Sequence, residues 1–287
     1  MTLLVTRPEP QAGEWSEALQ AAGVDAQALP LIAIEAPAHA QAIAALWHNL
    51  PAHRLLMFVS PAAAEWFFRL RPHDAALPVA ATWPAHTLAA APGPGTAEAV
   101  ARLAEPLGLR REQLISPDAE SSQFDSEALW PLLAPMAWQG QRVAIVSGGD
   151  ANGASGRTWL TRQWQDAGAD VQAVQAYRRG PGRWNDAQQA LARRALNDPR
   201  RHVWLFSSSQ AIDHLVTAHL PALGGDAVGR WDRAQSRALC THPRIAETAR
   251  AIGFGEVHAC APRLPAVVHA GVQAMVPSVV HARRSPP

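Results

Sequence analysis

The sequence predicts an α/β protein built as two similar lobes, each a parallel sheet covered by helices. Three observations carry this. Short apolar runs alternate with amphipathic stretches from end to end of the chain. The 287 residues are about twice the length of an ordinary domain. Three blocks recur in the same order, 145 to 149 residues further on. AAGVDAQAL at 21–29 returns as DAGADVQAV at 166–174, with Gly23 opposite Gly168. FVSPAAAEWF at 58–67 returns as FSSSQAIDHL at 206–215, with Ser60 opposite Ser208. PGTAEAVARL at 94–103 returns as PRIAETARAI at 243–252, with Glu98 opposite Glu247. Ala-rich helices explain one such coincidence but not three in register. A cleft between two such lobes is a natural ligand site.

Taken in order, Thr2–Thr6 (TLLVT) is short and apolar, as a buried parallel strand is. Pro8 and Pro10 end it, and Gln11–Ala22 follows as an amphipathic helix stopped by Gly23. The next strand is expected in LPLIAIEA, 29–36, which completes a βαβ unit. Leu55–Ser60 is another buried strand, with Pro61 opening a helix. Weaker strands are expected at 86–91 and 114–117, flanking the helix that starts in PGPGTAEAVARL. Arg142–Ser147, His202–Ser207, Ala238–Thr241 and Glu256–Ala261 repeat the theme, and an apolar helix is expected over 266–280 before a frayed tail.

Composition excludes much chemistry. All 25 basic residues besides histidine are Arg; there is no Lys. Schiff-base lysines, phosphate-loop lysines and Tyr/Lys proton-transfer pairs are therefore impossible. A net charge of +1 does not describe a bulk nucleic-acid or polybasic membrane binder. Cys240 and Cys260 make neither a disulfide scaffold nor a four-thiolate site. The 12 histidines form no H-E-x-x-H, so no metal is expected. No G-x-S-x-G elbow and no G-x-G-x-x-G fingerprint occur, so neither a hydrolase triad nor a dinucleotide cofactor is expected. No signal core or membrane-length apolar run stands out, and a soluble cytoplasmic monomer is expected. The 11 tryptophans are spread singly and read as core or boundary anchors rather than a base-stacking platform.

What remains is anion chemistry at strand-to-helix turns. Thr6-Arg7-Pro8, Ser60-Pro61, Ser207-Ser208-Ser209 and Gly93-Pro94-Gly95-Thr96 each place hydroxyl or small residues at a helix start. Helix N-termini offer free amides and the positive dipole end. Plain N-capping is the alternative for each turn. Ser147–Arg157 is the richest loop, with four glycines, and delivers Arg157. Tyr177, the only tyrosine, is a hydrogen-bond donor or a packing aromatic at a strand end.

These residues resemble the uroporphyrinogen-III synthase family over about 3–262. The marks are Leu4-Val5-Thr6-Arg7-Pro8, Phe58-Val59-Ser60-Pro61, Gly93-Pro94-Gly95-Thr96-Ala97-Glu98-Ala99, Asp125-Ser126-Glu127-Ala128-Leu129, Gly156-Arg157 and Phe206-Ser207-Ser208-Ser209. Two departures stand out: Ser147 where the family often has Arg, and Thr241-His242-Pro243-Arg244-Ile245-Ala246 in place of a second G-P-x-T-A turn. The resemblance implies two flavodoxin-like lobes joined by a two-stranded linker. Lobe one would comprise 1–35 plus 178–287 and lobe two 36–177, with crossing strands Leu31–Ala36 and Val171–Arg178; the sequence by itself equally allows two contiguous halves. It implies a cyclising lyase that converts hydroxymethylbilane, a linear tetrapyrrole with eight carboxylates, to uroporphyrinogen III with loss of water. No cofactor is implied. Arg7, Ser60, Thr96, Arg157, Ser207 and Ser208 would contact substrate, and Tyr177 would assist departure of the hydroxyl. The competing class is a non-catalytic two-lobed module for an anionic ligand, with which the altered Thr241–Ala246 turn is compatible.

Overall fold

The computed structural model describes residues 1–72, 82–118, 126–150, 153–154 and 158–275. The chain forms two compact units, Met1–Ile34 with Gly180–Pro287, and Glu35–Arg179.

In the first unit, β1 (Thr2–Val5) leads through α1 (Gln11–Ala21) to β2 (Ala26–Ala28). The chain then departs through β3 (Ile32–Glu35) for the second unit. That unit holds α2 (Gln41–His48), β4 (Leu55–Phe58), α3 (Pro61–Arg69), β5 (Leu88–Ala90) and α4 (Pro94–Ala104). It continues with β6 (Leu114–Ile115), α5 (Ser126–Leu133), β7 (Arg142–Asp150), β8 (Gly153–Ala154) and α6 (Thr158–Asp166). β9 (Asp170–Pro181) carries the chain back. The first unit then resumes with α7 (Asp186–Asn197), β10 (His202–Phe206) and α8 (Ser209–His214), which runs through a π turn, Leu215–His219, into α9 (Leu220–Leu223). α10 (Gly225–Gly229), β11 (Arg237–Cys240), α11 (Pro243–Ala251), β12 (Glu256–Ala259) and α12 (Leu264–Met275) complete it.

The first sheet has the order β12-β11-β10-β1-β2, parallel throughout. Counted along the chain this is 5-4-3-1-2, the flavodoxin order read backwards. The second sheet runs β9-β7-β4-β5-β6 in parallel, with β3 beyond β9 at one edge and β8 hairpinned antiparallel on β7. Its spatial order is the same, but the chain supplies strands three to five before one and two. Each sequence repeat is therefore shared out: β1 and β2 of the first repeat pair with β10–β12 of the second, while β4–β6 of the first pair with β7 and β9 of the second.

Residues alternate between the faces of the first sheet because successive strand side chains point oppositely. Leu4, Trp204 and Phe206 pack with Ile212 and Leu191 on one side. Leu3, Val5 and Leu205 pack with Leu19 and Val267 on the other. Both faces are covered, which is why the strands read as continuous apolar runs. In the second unit, Leu55, Met57, Val143 and Ile145 pack with Leu129 and Trp164. An aromatic cluster around Phe67 joins Phe58, Trp47 and Phe68. Trp47, Trp164 and Trp204 are fully buried anchors, whereas Trp159 is exposed and anchors nothing in the core.

Two expectations are corrected. The second strand of the first sheet is Ala26–Ala28, not LPLIAIEA. Pro30 interrupts that run, and its apolar part, Ile32–Glu35, lies in the other sheet. Ser147–Asp150 is not loop: β7 extends through it, and Gly149 and Asp150 pair with Ala154 and Gly153.

The first unit clasps its own chain where it departs and returns. The Trp184 indole donates to the Pro30 carbonyl at 2.8 Å, and the Gly182 amide donates to Leu31 at 3.1 Å. Gly182 sits so close to Pro30 that a Cβ would lie 2.9 Å from the Pro30 carbonyl carbon. Rings of His214 and His219 meet the Leu31 carbonyl at 3.1 and 3.3 Å. His219 stacks on Trp184, centroids 4.0 Å apart. Burial, against the bond to Leu31 and with help from His214, pulls the His219 pKa below its ordinary 6.5. The folded chain therefore binds this proton less readily than the unfolded chain, so stability is fully present above about pH 6.5 and declines as pH falls below it. Melting temperature is expected to drop between pH 7.5 and 5.5, and more steeply than in His219→Phe, which keeps the stack but cannot titrate. Parallel profiles for the two proteins would exclude His219 as the cause.

Candidate functional site

At the carboxyl edge of the first sheet, three adjacent strands end in the predicted turns. Thr6 is buried, and its hydroxyl donates across to the Leu205 carbonyl at 2.7 Å. This fixes the turn that presents Arg7. The Arg7 guanidinium lies 3.8 Å above the Trp15 ring and donates to Gln11 Oε1 at 3.3 Å. Its Nε is buried without a partner, and burial lowers its pKa from the usual arginine value. Arginine stays charged at neutral pH all the same, so its burial carries a desolvation cost. Beside it, Ser208 caps α8 by accepting the Gln210 amide at 3.2 Å, whereas the Ser207 hydroxyl is buried and unpartnered. The third turn is the altered one. His242 caps α11, its Nδ1 accepting the Arg244 amide at 3.1 Å. Its φ of −157° resembles the −169° of Gly93 at the start of α4, and a proline follows each. Neither is a conformation that requires glycine. The loss of glycine therefore leaves the turn intact, and an imidazole and an arginine stand where a small turn was expected.

The carboxyl edge of the second sheet is organised around Tyr177. Ser60, half-buried, caps α3 by accepting the Ala63 amide at 3.2 Å. Its hydroxyl lies 3.3 Å from the Tyr177 hydroxyl, and Arg179 donates to the same phenol oxygen at 3.0 Å. Tyr177 and Arg179 are two apart on β9 and so share a face. Arg178 points the other way and pairs with Glu35 at 2.6 Å. The Tyr177 ring is only 1% exposed. It fits because β9 carries one extra residue, Ala176, against β7: Ser147 faces Gln175 and Gly148 faces Tyr177, where a Cβ on Gly148 would lie 2.6 Å from the phenol oxygen. Ser147 is fully buried with its hydroxyl unpartnered. Thr96 is buried in the first turn of α4.

Of the predicted residues, the structure brings Ser60 and Tyr177 together, sets Arg7, Ser207 and Ser208 along one sheet edge, and puts Thr96 at its own turn. Arg157 lies outside the described residues, as do Gly156 and Asp125 of the quoted motifs. Sequence reasoning missed Arg179, Gly148 and the capping role of His242. The two-residue spacing of Tyr177 and Arg179 was a usable signal; the Gly148 contact spans separate strands and gave none. Among the described residues no group of three or more His, Cys, Asp or Glu is placed to hold a metal ion, and no helix is long and apolar enough to cross a membrane.

Two flavodoxin-ordered units with hydroxyl and guanidinium groups at their strand ends define an α/β protein of two duplicated units. The chain belongs to the uroporphyrinogen-III synthase family, whose model (uroporphyrinogen-III synthase HemD) matches residues 13–269. It is accordingly a cyclising lyase of tetrapyrrole biosynthesis. Solved structures agree on the fold. A uroporphyrinogen-III synthetase from Helicobacter pylori superposes with a TM-score of 0.57 at 12% identity, covering 95% of this chain and 98% of that one. A mutant uroporphyrinogen III synthase from Thermus thermophilus gives 0.51 at 14% identity, covering 95% and 97%. A search of curated protein sequences finds no match.

Proposed function

We propose that the chain takes hydroxymethylbilane, removes its terminal hydroxyl as water and closes the ring with the last pyrrole inverted. The azafulvene left by dehydration is attacked at the substituted carbon of that pyrrole, and the spiro intermediate fragments and recloses. Most of the work is geometric, since closure without this control gives the uninverted isomer. Arg7, Arg157, Ser207, Ser208, Thr96 and the backbone amide of Ser60 hold carboxylates, and Tyr177 is the source of the proton that leaves with the hydroxyl. No metal or organic cofactor takes part. An octa-anion stays in water, and the enzyme is placed in the cytoplasm, as a monomer.

The observation that carries this reading is the bonded set of Ser60, Tyr177 and Arg179 at a sheet's carboxyl edge. Parallel α/β sheets bind ligands at that edge. The test is to supply hydroxymethylbilane and separate the uroporphyrinogen isomers. Isomer III supports the reading; isomer I at the uncatalysed rate sinks it.

Arg7→Ala is expected to raise KM about tenfold with turnover nearly unchanged. One charge-assisted contact is lost equally from ground and transition states, and the other carboxylate contacts blunt the loss. A fall in turnover at constant KM would place Arg7 in the chemical step instead.

A further inference from the structure

The geometry points to a proton relay in which Ser60 hands its proton to the leaving hydroxyl, Tyr177 refills Ser60, and Arg179 holds the charge left on the phenol. This rests on the proposed activity and extends it to a delivery path and to a residue, Arg179, that the sequence did not single out.

A hydroxyl offers one proton and accepts through its lone pairs. The Ser60 oxygen accepts the Ala63 amide, and the Tyr177 oxygen accepts an Arg179 N–H. The link between the two hydroxyls uses one proton, whichever group donates it. The pair owns two. One proton is therefore left over, and among the described residues no third group takes it. When Tyr177 donates to Ser60, the spare proton is the serine's. That arrangement suits the burial: the Tyr177 ring is nearly sealed, whereas Ser60 is only partly buried at the start of α3. The buried phenol is an unsuitable direct donor, and the serine is a suitable last link.

Atoms and electrons balance. The carbon–oxygen bond of the terminal hydroxymethyl group breaks as the pyrrole nitrogen pushes electrons in. The Ser60 Oγ–H bond breaks, and its proton joins the departing oxygen to make water. The Tyr177 proton moves to Ser60, and the phenolate sits against the Arg179 guanidinium, a charge-assisted contact stronger than the neutral one it replaces. After ring closure the last pyrrole sheds the hydrogen of its attacking α-carbon, and Ser60 returns it to Tyr177. No oxidant, reductant or metal enters. The 3.3 Å hydroxyl–hydroxyl distance is long, as catalytic hydrogen bonds often are before substrate binds. Arg179 is a positioning residue here, because it acts through the phenol. Gly148 serves the same end by leaving the ring its place.

The experiment measures turnover, KM and isomer ratio with hydroxymethylbilane for Ser60→Gly, Arg179→Gln, Arg179→Lys, Tyr177→Phe and the double variant Arg179→Gln/Tyr177→Phe. Gly retains most of the value of a serine cap, and melting temperatures check that each variant folds. Ser60→Gly and Arg179→Gln are each expected to lose about tenfold or more in turnover with KM within about twofold, a modest share of what general acids contribute. Arg179→Lys recovers part of the loss, since a point charge still faces the phenol. The double variant is no slower than Tyr177→Phe alone, because Arg179 has nothing to act on once the hydroxyl is gone. Multiplying losses in the double variant, or a loss confined to KM in Arg179→Gln, would overturn the relay and make Arg179 a direct substrate contact. Wild-type turnover in Ser60→Gly alongside an impaired Tyr177→Phe would also overturn it, leaving Tyr177 as direct donor. Wild-type turnover in Tyr177→Phe itself would remove Tyr177 from the reaction, and failure of the unmodified protein to form isomer III would remove the activity. Those two results separate loss of the underlying reading from loss of the relay.

Discussion

Tyr177→Phe is expected to lower turnover about 10- to 100-fold while KM stays within about twofold. The phenol matters as the hydroxyl departs and charge develops, so its removal is felt in the transition state rather than in substrate binding. The low end of the usual acid-catalysis range applies because the bilane loses water fairly readily unaided. Phe keeps the ring, which is the part that fills the core beside Gly148. The hydroxyl's bonds to Ser60 and Arg179 are worth about 1 kcal/mol each. The melting temperature is therefore expected to fall by only a few degrees. If Tyr177 served packing alone, Tyr177→Phe would be silent in turnover and Tyr177→Ala would melt several degrees lower. Steady-state kinetics beside a thermal melt separates the two.

Gly148→Ala is expected to damage both stability and turnover. A methyl group there falls against the Tyr177 ring and within 2.6 Å of its oxygen. The ring is boxed in, so it cannot swing away cheaply. Overpacking of this kind costs about 1–3 kcal/mol, or roughly 5 °C in melting temperature for a domain of this size. The displaced hydroxyl would leave Ser60 and Arg179, and turnover should fall at least to the level of Tyr177→Phe. Gly95→Ala is the contrasting control. Its Cβ meets nothing within 4 Å, and it lies inside α4. Alanine favours a helix over glycine, so its melting temperature should rise slightly. A Gly148→Ala protein with native stability and turnover would show that the ring has slack and weaken the case for a fixed phenol.

The fold was legible where burial on both faces of a sheet leaves a plain apolar run, as in Leu55–Phe58 and His202–Phe206. Repetition revealed the doubled architecture, since Gly23 and Gly168 each end a helix ahead of a paired strand. Ala26–Ala28 was illegible, because three small or polar residues carry no strand signal and owe their state to β1 alongside. The site was legible one turn at a time. Hydroxyl residues at helix starts are a local feature, and Ser60 and Ser208 do cap their helices. That Ser60 meets a tyrosine 117 positions away is a matter of which strands neighbour each other, and no local pattern states it. His242 shows the opposite error. Its turn looked degraded by the loss of glycine, yet its backbone is extended and an imidazole nitrogen takes the cap.

The shared-out repeats also set a timetable for synthesis. Domains generally fold in the order in which the ribosome delivers them, but here β1, made before every strand of the second sheet, is paired with β10 only after all of them. Every strand of the second sheet has been delivered once Pro181 has emerged. β1, by contrast, pairs with β10, and Thr6 bonds a carbonyl 199 residues further along. Closing so long a loop adds little to the equilibrium cost, because that cost grows only logarithmically with length. It does mean waiting. During translation β1 has only β2 to pair with, Leu4 lacks Trp204 and Leu191, and Leu3 and Val5 lack Leu205 and Val267, while the unit encoded in the middle of the chain is already complete. The segment from β1 to β2 is thus exposed to chaperones and to aggregation for longer than any strand of the second sheet.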